Sequence, residues 1–184
     1  MFHTSINVFG GASSYAFTQM VRPEVGLSIK QRFGNGWYAT AKMKTALPNK
    51  DPNGGVATTL AYYAGKRMTI TRHLDAGLFA GYQHLWYGSL FNNAIGGGIH
   101  TGIHAGRWFA SMNIAYLVGI SGSVGYHLQH SGNDLLFYGR IGYRLTKALS
   151  AYVFLSQQRY VNVGRYGCNS LTYQGTGLGL RYAF

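Results

Sequence analysis

Acidic residues are nearly missing from this sequence of 184 residues: four Asp and Glu stand against 16 Lys and Arg, for a net charge of +12. So few carboxylates cannot supply the mixed-sign exterior of an ordinary soluble domain. They also leave little material for paired-carboxylate acid–base chemistry. Charge of either sign is scarce, at 11% of residues, where typical soluble domains carry about a quarter. The single cysteine, Cys168, excludes an internal disulfide and leaves the redox compartment open. No apolar run approaches the roughly 18 residues of a membrane-spanning helix. The start Met1-Phe2-His3-Thr4-Ser5 lacks the charged residues and apolar run of a secretory signal; for an exported protein, numbering would begin near the mature start.

What the chain has in plenty is Gly (27), Tyr (15) and Phe (10), with only three Pro, the mix of many short strands joined by turns. Apolar residues recur with a period of two. Val25, Leu27, Ile29 and Phe33 alternate with Gly26, Ser28, Lys30 and Arg32; after Gly34-Asn35-Gly36 the pattern resumes with Trp37, Ala39, Ala41 and Met43. Such a Gly/Asn turn between alternating segments is a strong hairpin signal. Similar pairs flank Thr71–Leu74, His104–Gly106 and Thr146–Ala148, and weaker strands open and close the chain at 3–10 and 171–184. Polar connections are expected near 11–22, 47–55, 87–93, 118–132 and 159–169. Four tight turns alternating with five long loops predict one domain, 1–184, of ten antiparallel strands, with eight as the alternative count.

The two strand faces differ in kind. One carries Val, Leu, Ile, Met, Trp, Tyr and Ala. The other carries Gly, Ser, Thr, Tyr and most of the cations, as in Gly96, Gly98, His100, Gly102 and in Tyr173, Gly175, Gly177, Gly179, Arg181. Small residues on the polar face suit the confined interior of a narrow barrel. Aromatics near strand ends, Trp37, Trp86, Trp108, Tyr143, Tyr182 and Phe184, form the girdle expected where lipid meets water. The alternation therefore predicts an all-β, closed, up-and-down transmembrane barrel, apolar face toward hydrocarbon and polar face toward the lumen. A water-soluble cationic barrel that binds an acidic partner is the inverse arrangement. Lys66 falls on the lipid face in this register, which requires either snorkelling near a membrane rim or a bulge at Gly65.

The closing Gly177-Leu178-Gly179-Leu180-Arg181-Tyr182-Ala183-Phe184 resembles the C-terminal signal of small bacterial outer-membrane β-barrel proteins. The resemblance implies location in a bacterial outer membrane, recognition of Leu178, Leu180, Tyr182 and Phe184 by the barrel-assembly machinery, tight turns in the periplasm and long loops outside.

With the faces so assigned, Lys30, Arg32, Lys42, Lys44, Arg67, Arg107, Arg140, Arg144 and Arg181 are expected to face the lumen, where only Glu24, Asp75 and Asp134 are candidates to pair with them. Such a lumen is wet, holds an anionic ligand, or receives an acidic segment of a partner protein. Cations spread over alternate positions of many strands do not make the single exposed basic face of a nucleic-acid binder. Arg22, Lys50, Arg159 and Arg165 are expected in loops, where they are either solvated or in contact with lipopolysaccharide phosphates. The best candidate for chemistry is His130-Ser131 in Tyr126–Asp134, for a lipid hydrolase with a His-activated serine. It is only similar to the His-x-Ser-Asn arrangement of membrane lipid hydrolases: the two residues are adjacent and point apart in a regular strand. His127 and His130 have no companion ligands for a metal, and Gly96-Gly97-Gly98 lacks the following helix of a phosphate loop. The expectation is a non-enzymatic structural or accessory barrel, or a small anion-favouring pore, with no cofactor and no metal.

Overall fold

A computed structural model of the chain describes residues 3–15, 21–47, 56–87, 90–122, 133–161 and 170–184. Ten strands make up the fold: β1 (His3–Tyr15), β2 (Val21–Arg32), β3 (Trp37–Ala46), β4 (Ala57–Thr69), β5 (Leu74–Tyr87), β6 (Leu90–Ala105), β7 (Trp108–Gly122), β8 (Asn133–Arg144), β9 (Leu149–Val161) and β10 (Ser170–Ala183). Each pairs antiparallel with its chain neighbours, and β1 pairs with β10, which closes the sheet. The seam is tied at its end by Phe184 N–H donating to the Thr4 carbonyl at 2.9 Å. Closure leaves no unpaired edge, as a sheet surrounded by hydrocarbon requires.

The four tight turns form at the expected hairpins, the third shifted onto Gly106–Arg107. Gly34–Gly36 is a single 3-10 turn with Asn35 and Gly36 at positive φ; a Cβ on Gly36 would lie 2.1 Å from the Arg67 carbonyl. Gly106, at φ 60°, leads the two-residue turn before Trp108, as a primed hairpin turn demands. Thr71 and Thr146 close the other two, each hydroxyl accepting from two backbone amides.

The strands run further at the opposite end than the apolar alternation indicates. β5 reaches Tyr87 and β6 starts at Leu90, so much of the connection expected at 87–93 is strand. β1, β7 and β9 likewise extend to Tyr15, Gly122 and Val161. The outward residues of these extensions include Asn93 and Ser121. They continue the ladder beyond the apolar belt, so hydrophobic periodicity misses them.

The faces are inside out with respect to a soluble barrel. Leu178, Leu180 and Ile141 are 67%, 53% and 57% exposed on the outer wall, and the exposed large hydrophobics continue around every strand pair. The interior holds Phe9, Phe109, Tyr152 and Phe154 in one cluster, with Tyr138 against it. Ladder register is regular through β4, with Lys66 opposite Trp37 and Leu78. No bulge re-aims Lys66; its ammonium lies over the Trp37 ring at 5.8 Å, at the tight-turn rim. Of the two explanations for a lipid-face lysine, snorkelling is the one that operates.

Candidate functional site: a charged lumen with unlike ends

Strand parity carries the polar residues inward, and a cavity of about 200 Å³ runs between them. Lys30, Arg32, Lys42, Lys44, Arg140 and Arg181 line it. Arg67 also points inward, bonded to Asp75. Arg144 is exposed at the end of β8, on the lumen-facing parity but at the rim. Arg107 differs from expectation. It sits exposed in the turn between β6 and β7, because β6 runs on to Ala105 and the turn is Gly106–Arg107, later than the His104–Gly106 expected. Arg22 differs too: it lies on β2 and is buried, not in a loop. Arg159 is on β9 and exposed. His130, Ser131, Lys50 and Arg165 lie outside the described residues.

The aromatic residues sort to the rims. Trp37, Trp108, Tyr182 and Phe184 are exposed at the tight-turn end, with Trp108 edge-on to Tyr143 and Tyr182 edge-on to Phe184. Trp86 is exposed near the other end.

At the tight-turn end the lumen is strongly positive. Arg32, Arg67, Arg140 and Arg144 all act electrostatically on Arg181, and Lys30 stands among the same group. One carboxylate, Asp75, serves this half. Arg67 donates to it, His100 Nε2 lies 3.2 Å from Oδ1, and His104 Nε2 lies 2.9 Å from Oδ2. His104 Nε2 is also 2.8 Å from Arg67 Nη2, so that nitrogen either donates to the carboxylate or accepts from the guanidinium. Among the described residues no group of three or more His, Cys, Asp or Glu is set to hold a metal.

Aromatic faces, not carboxylates, receive most of the remaining cations. Lys30 lies 3.7 Å from the Tyr38 ring centre, and Lys42 lies 4.6 Å from Tyr138 and 5.2 Å from Phe9. Arg140 sits over Phe109 and Tyr152 while its Nε donates to Ser111. A cation–π contact is worth about 0.5–2 kcal/mol and does not neutralise charge. Lys42 and Tyr138 meet across the full width of the barrel, from β3 to β8.

The loop end is built otherwise. Asp134, on β8, is completely buried; its Oδ2 accepts from Gln83 of β5 and Gln158 of β9, both at 3.2 Å. Tyr63 of β4 reaches Gln83 at 3.5 Å. This is a crossbar of amides and one carboxylate over the lumen: Asp134 and Gln158 stand on neighbouring strands, and the Gln83–Asp134 bond spans from β5 to β8, which are not neighbours. Beside it, Tyr173 donates to Glu24, and Lys44 lies 3.8 Å from Glu24 and 3.9 Å from the Tyr173 ring centre. Leu117 and Asn92 fill the same level without measurable access. Parity puts Gln83, Asp134 and Gln158 on one face, but only the ladder register shows that they share a height.

The outer wall holds one cluster that sequence reading missed. The register shift between Asn93 and Ala94, the irregularity in the β6–β7 ladder, sets Ser121 opposite Asn93. Asn93 Nδ2 donates to Ser121 Oγ at 2.8 Å, Tyr82 donates to Asn93 Oδ1 at 2.6 Å, and His84 Nδ1 bonds that same oxygen. A bulge reverses the parity on which face assignment relies, so no alternation rule finds this group.

The closed barrel has clear counterparts among solved structures. The outer-membrane protease OmpT of Escherichia coli aligns with a TM-score of 0.69 at 11% identity, over 100% of this chain and 96% of that one. The NanC porin aligns at 0.56 and 13% identity, over 96% and 98%. This is the fold of outer-membrane β-barrels. At such low identity the likeness is one of architecture, shared by a protease and a porin alike. No protein-family model and no curated protein matches the sequence.

Proposed function

We propose that this chain is a non-enzymatic β-barrel of a bacterial outer membrane, an accessory or structural envelope protein whose basic lumen favours anions over cations. The observation that carries the reading is the sorting of side chains: large apolar residues stand exposed on the outer wall while Lys30, Arg32, Lys42, Arg140 and Arg181 line the cavity. Burying this many cations with three inward carboxylates, Glu24, Asp75 and Asp134, is costly in a dry core; a wet or anion-filled lumen removes the cost. The exposed final ring pair Tyr182–Phe184 supports recognition of β10 by the barrel-assembly machinery and a place for that rim at the lipid interface. Outer-membrane lipid, lipopolysaccharide included, then surrounds the wall. An acidic segment of a partner protein is the alternative occupant of the lumen.

Two measurements test the reading. The protein should fractionate with outer membranes and need detergent for extraction. In planar bilayers under a KCl gradient, every opening, rare or frequent, should reverse at a potential of the anion sign. Recovery in the soluble fraction, or reversal at the cation sign, would overturn it.

A further inference from the structure

We infer that the tight-turn half of the lumen is a blind receptor pocket for a small polyanion, entered from the tight-turn end and stopped by the Gln83–Asp134–Gln158 crossbar. The inference rests on the reading of an anion-favouring lumen and adds to it a site, a direction of entry and a ligand class.

Exposure shows which end is open. On β6 the side chain of His104, beside the tight turn, is 35% accessible and that of His100, four residues further in, 9%. At the loop end Asp134 and Leu117 have no access at all. The rim around the open mouth carries Arg72, Arg107, Arg144 and Lys147, all exposed. A mouth of one sign concentrates ions of the other and speeds their entry.

Charge then fixes what is held and where it stops. Asp75 is already shared by Arg67 and two histidines. Among the described residues Lys30, Arg32 and Arg181 have no hydrogen-bonded acceptor, and Arg140 uses only its Nε, toward Ser111. Guanidinium and ammonium donors without acceptors, turned toward one cavity, are the complement of phosphate or carboxylate oxygens. One monoanion satisfies one of them; a compact polyanion satisfies several. Deeper in, free donors run out. Lys44 is taken by Glu24 and the Tyr173 ring, and the Gln83 and Gln158 amides by Asp134, so the loop half offers the ligand no comparable set of donors. Lys42 over the Tyr138 ring narrows the lumen at mid-height, and the Gln83–Asp134–Gln158 group closes it beyond, so a small solute is held more readily than a peptide segment.

Inorganic pyrophosphate serves as the probe. Calorimetric titration of the detergent-solubilised full chain in 0.15 M salt (about one Debye length of 8 Å) should give saturable one-to-one binding. Arg140→Gln with Arg181→Gln should weaken it at least about tenfold, and Lys30→Met alone by about threefold; Arg159→Gln, on the outer wall, should leave it unchanged. Retained heat-modifiable gel mobility identifies folded variants. In planar bilayers the wild type should carry no sustained current. Gln83→Ala with Gln158→Ala should open an anion-selective one, blocked by pyrophosphate from the tight-turn side only. Absence of saturable binding, wild-type affinity in the double arginine variant, a steady wild-type current, or equal block from both sides overturns the pocket. A cation-selective current in the opened variant would sink the basic-lumen reading itself, whereas anion selectivity without pyrophosphate binding removes the pocket alone.

Discussion

Asp75 and Asp134 are both buried carboxylates inside one barrel, and they are opposites. Asp75 has a guanidinium and two imidazoles for company; Asp134 has two carboxamides. The first works as a counter-charge, tying together cations that would otherwise repel. The second works as an acceptor, holding three strands across a gap. The lesson is that a residue's role in such an interior follows from which end of the tube it occupies, because the cations are concentrated at one end.

That contrast can be broken or sharpened by substitution. The largest effect is expected for Asp75→Ala, which strands Arg67 beside other arginines: a loss of about 3 kcal/mol, the low end for a broken buried pair because the lumen is wet. Urea unfolding in lipid vesicles, followed by gel mobility, reads it. Next comes Leu178→Arg on the outer wall, at about 2–4 kcal/mol if that position lies near the bilayer midplane; the same assay should place Lys66→Leu within about 1 kcal/mol of wild type, since Lys66 already reaches a rim. The smallest effect belongs to Asp134→Asn. An amide oxygen still accepts from Gln83 and Gln158, no cation is left alone, and stability should change by less than about 0.5 kcal/mol. A large loss there would mean that Asp134 is paired with a cation after all, and the distinction between the two carboxylates would fall.

Most of the architecture was readable in the sequence because lipid imposes a strict rule. Outward residues such as Leu178, Ile141 and Ile99 must be apolar, and period two then gives strand, face and turn together. Where the wall leaves hydrocarbon the rule lapses, and the extensions of β6 and β7 through Asn93 and Ser121 went unseen for that reason. Inward positions obey no comparable rule. Parity assigned Lys30, Arg140 and Arg181 to the lumen, yet nothing in one chain says which inward residues share a height. The Gln83–Asp134–Gln158 crossbar and the Tyr173–Glu24 contact depend on register across strands far apart in sequence. Arg107 was misplaced because β6 keeps His104 and Ala105 in the ladder, which moves the two-residue turn onto Gly106 and Arg107. The bulge at Asn93 hid Ser121 for a related reason, since one extra residue exchanges inside for outside.

The pairing of β1 with β10 has an implication for biogenesis. These are the first and last of the ten strands, so the bond between Phe184 and Thr4 cannot exist until every intervening hairpin has been delivered. Up to that moment the growing sheet exposes two raw margins inside a solvent that offers no hydrogen bonds. Any partial sheet therefore carries an edge cost that only this seam removes.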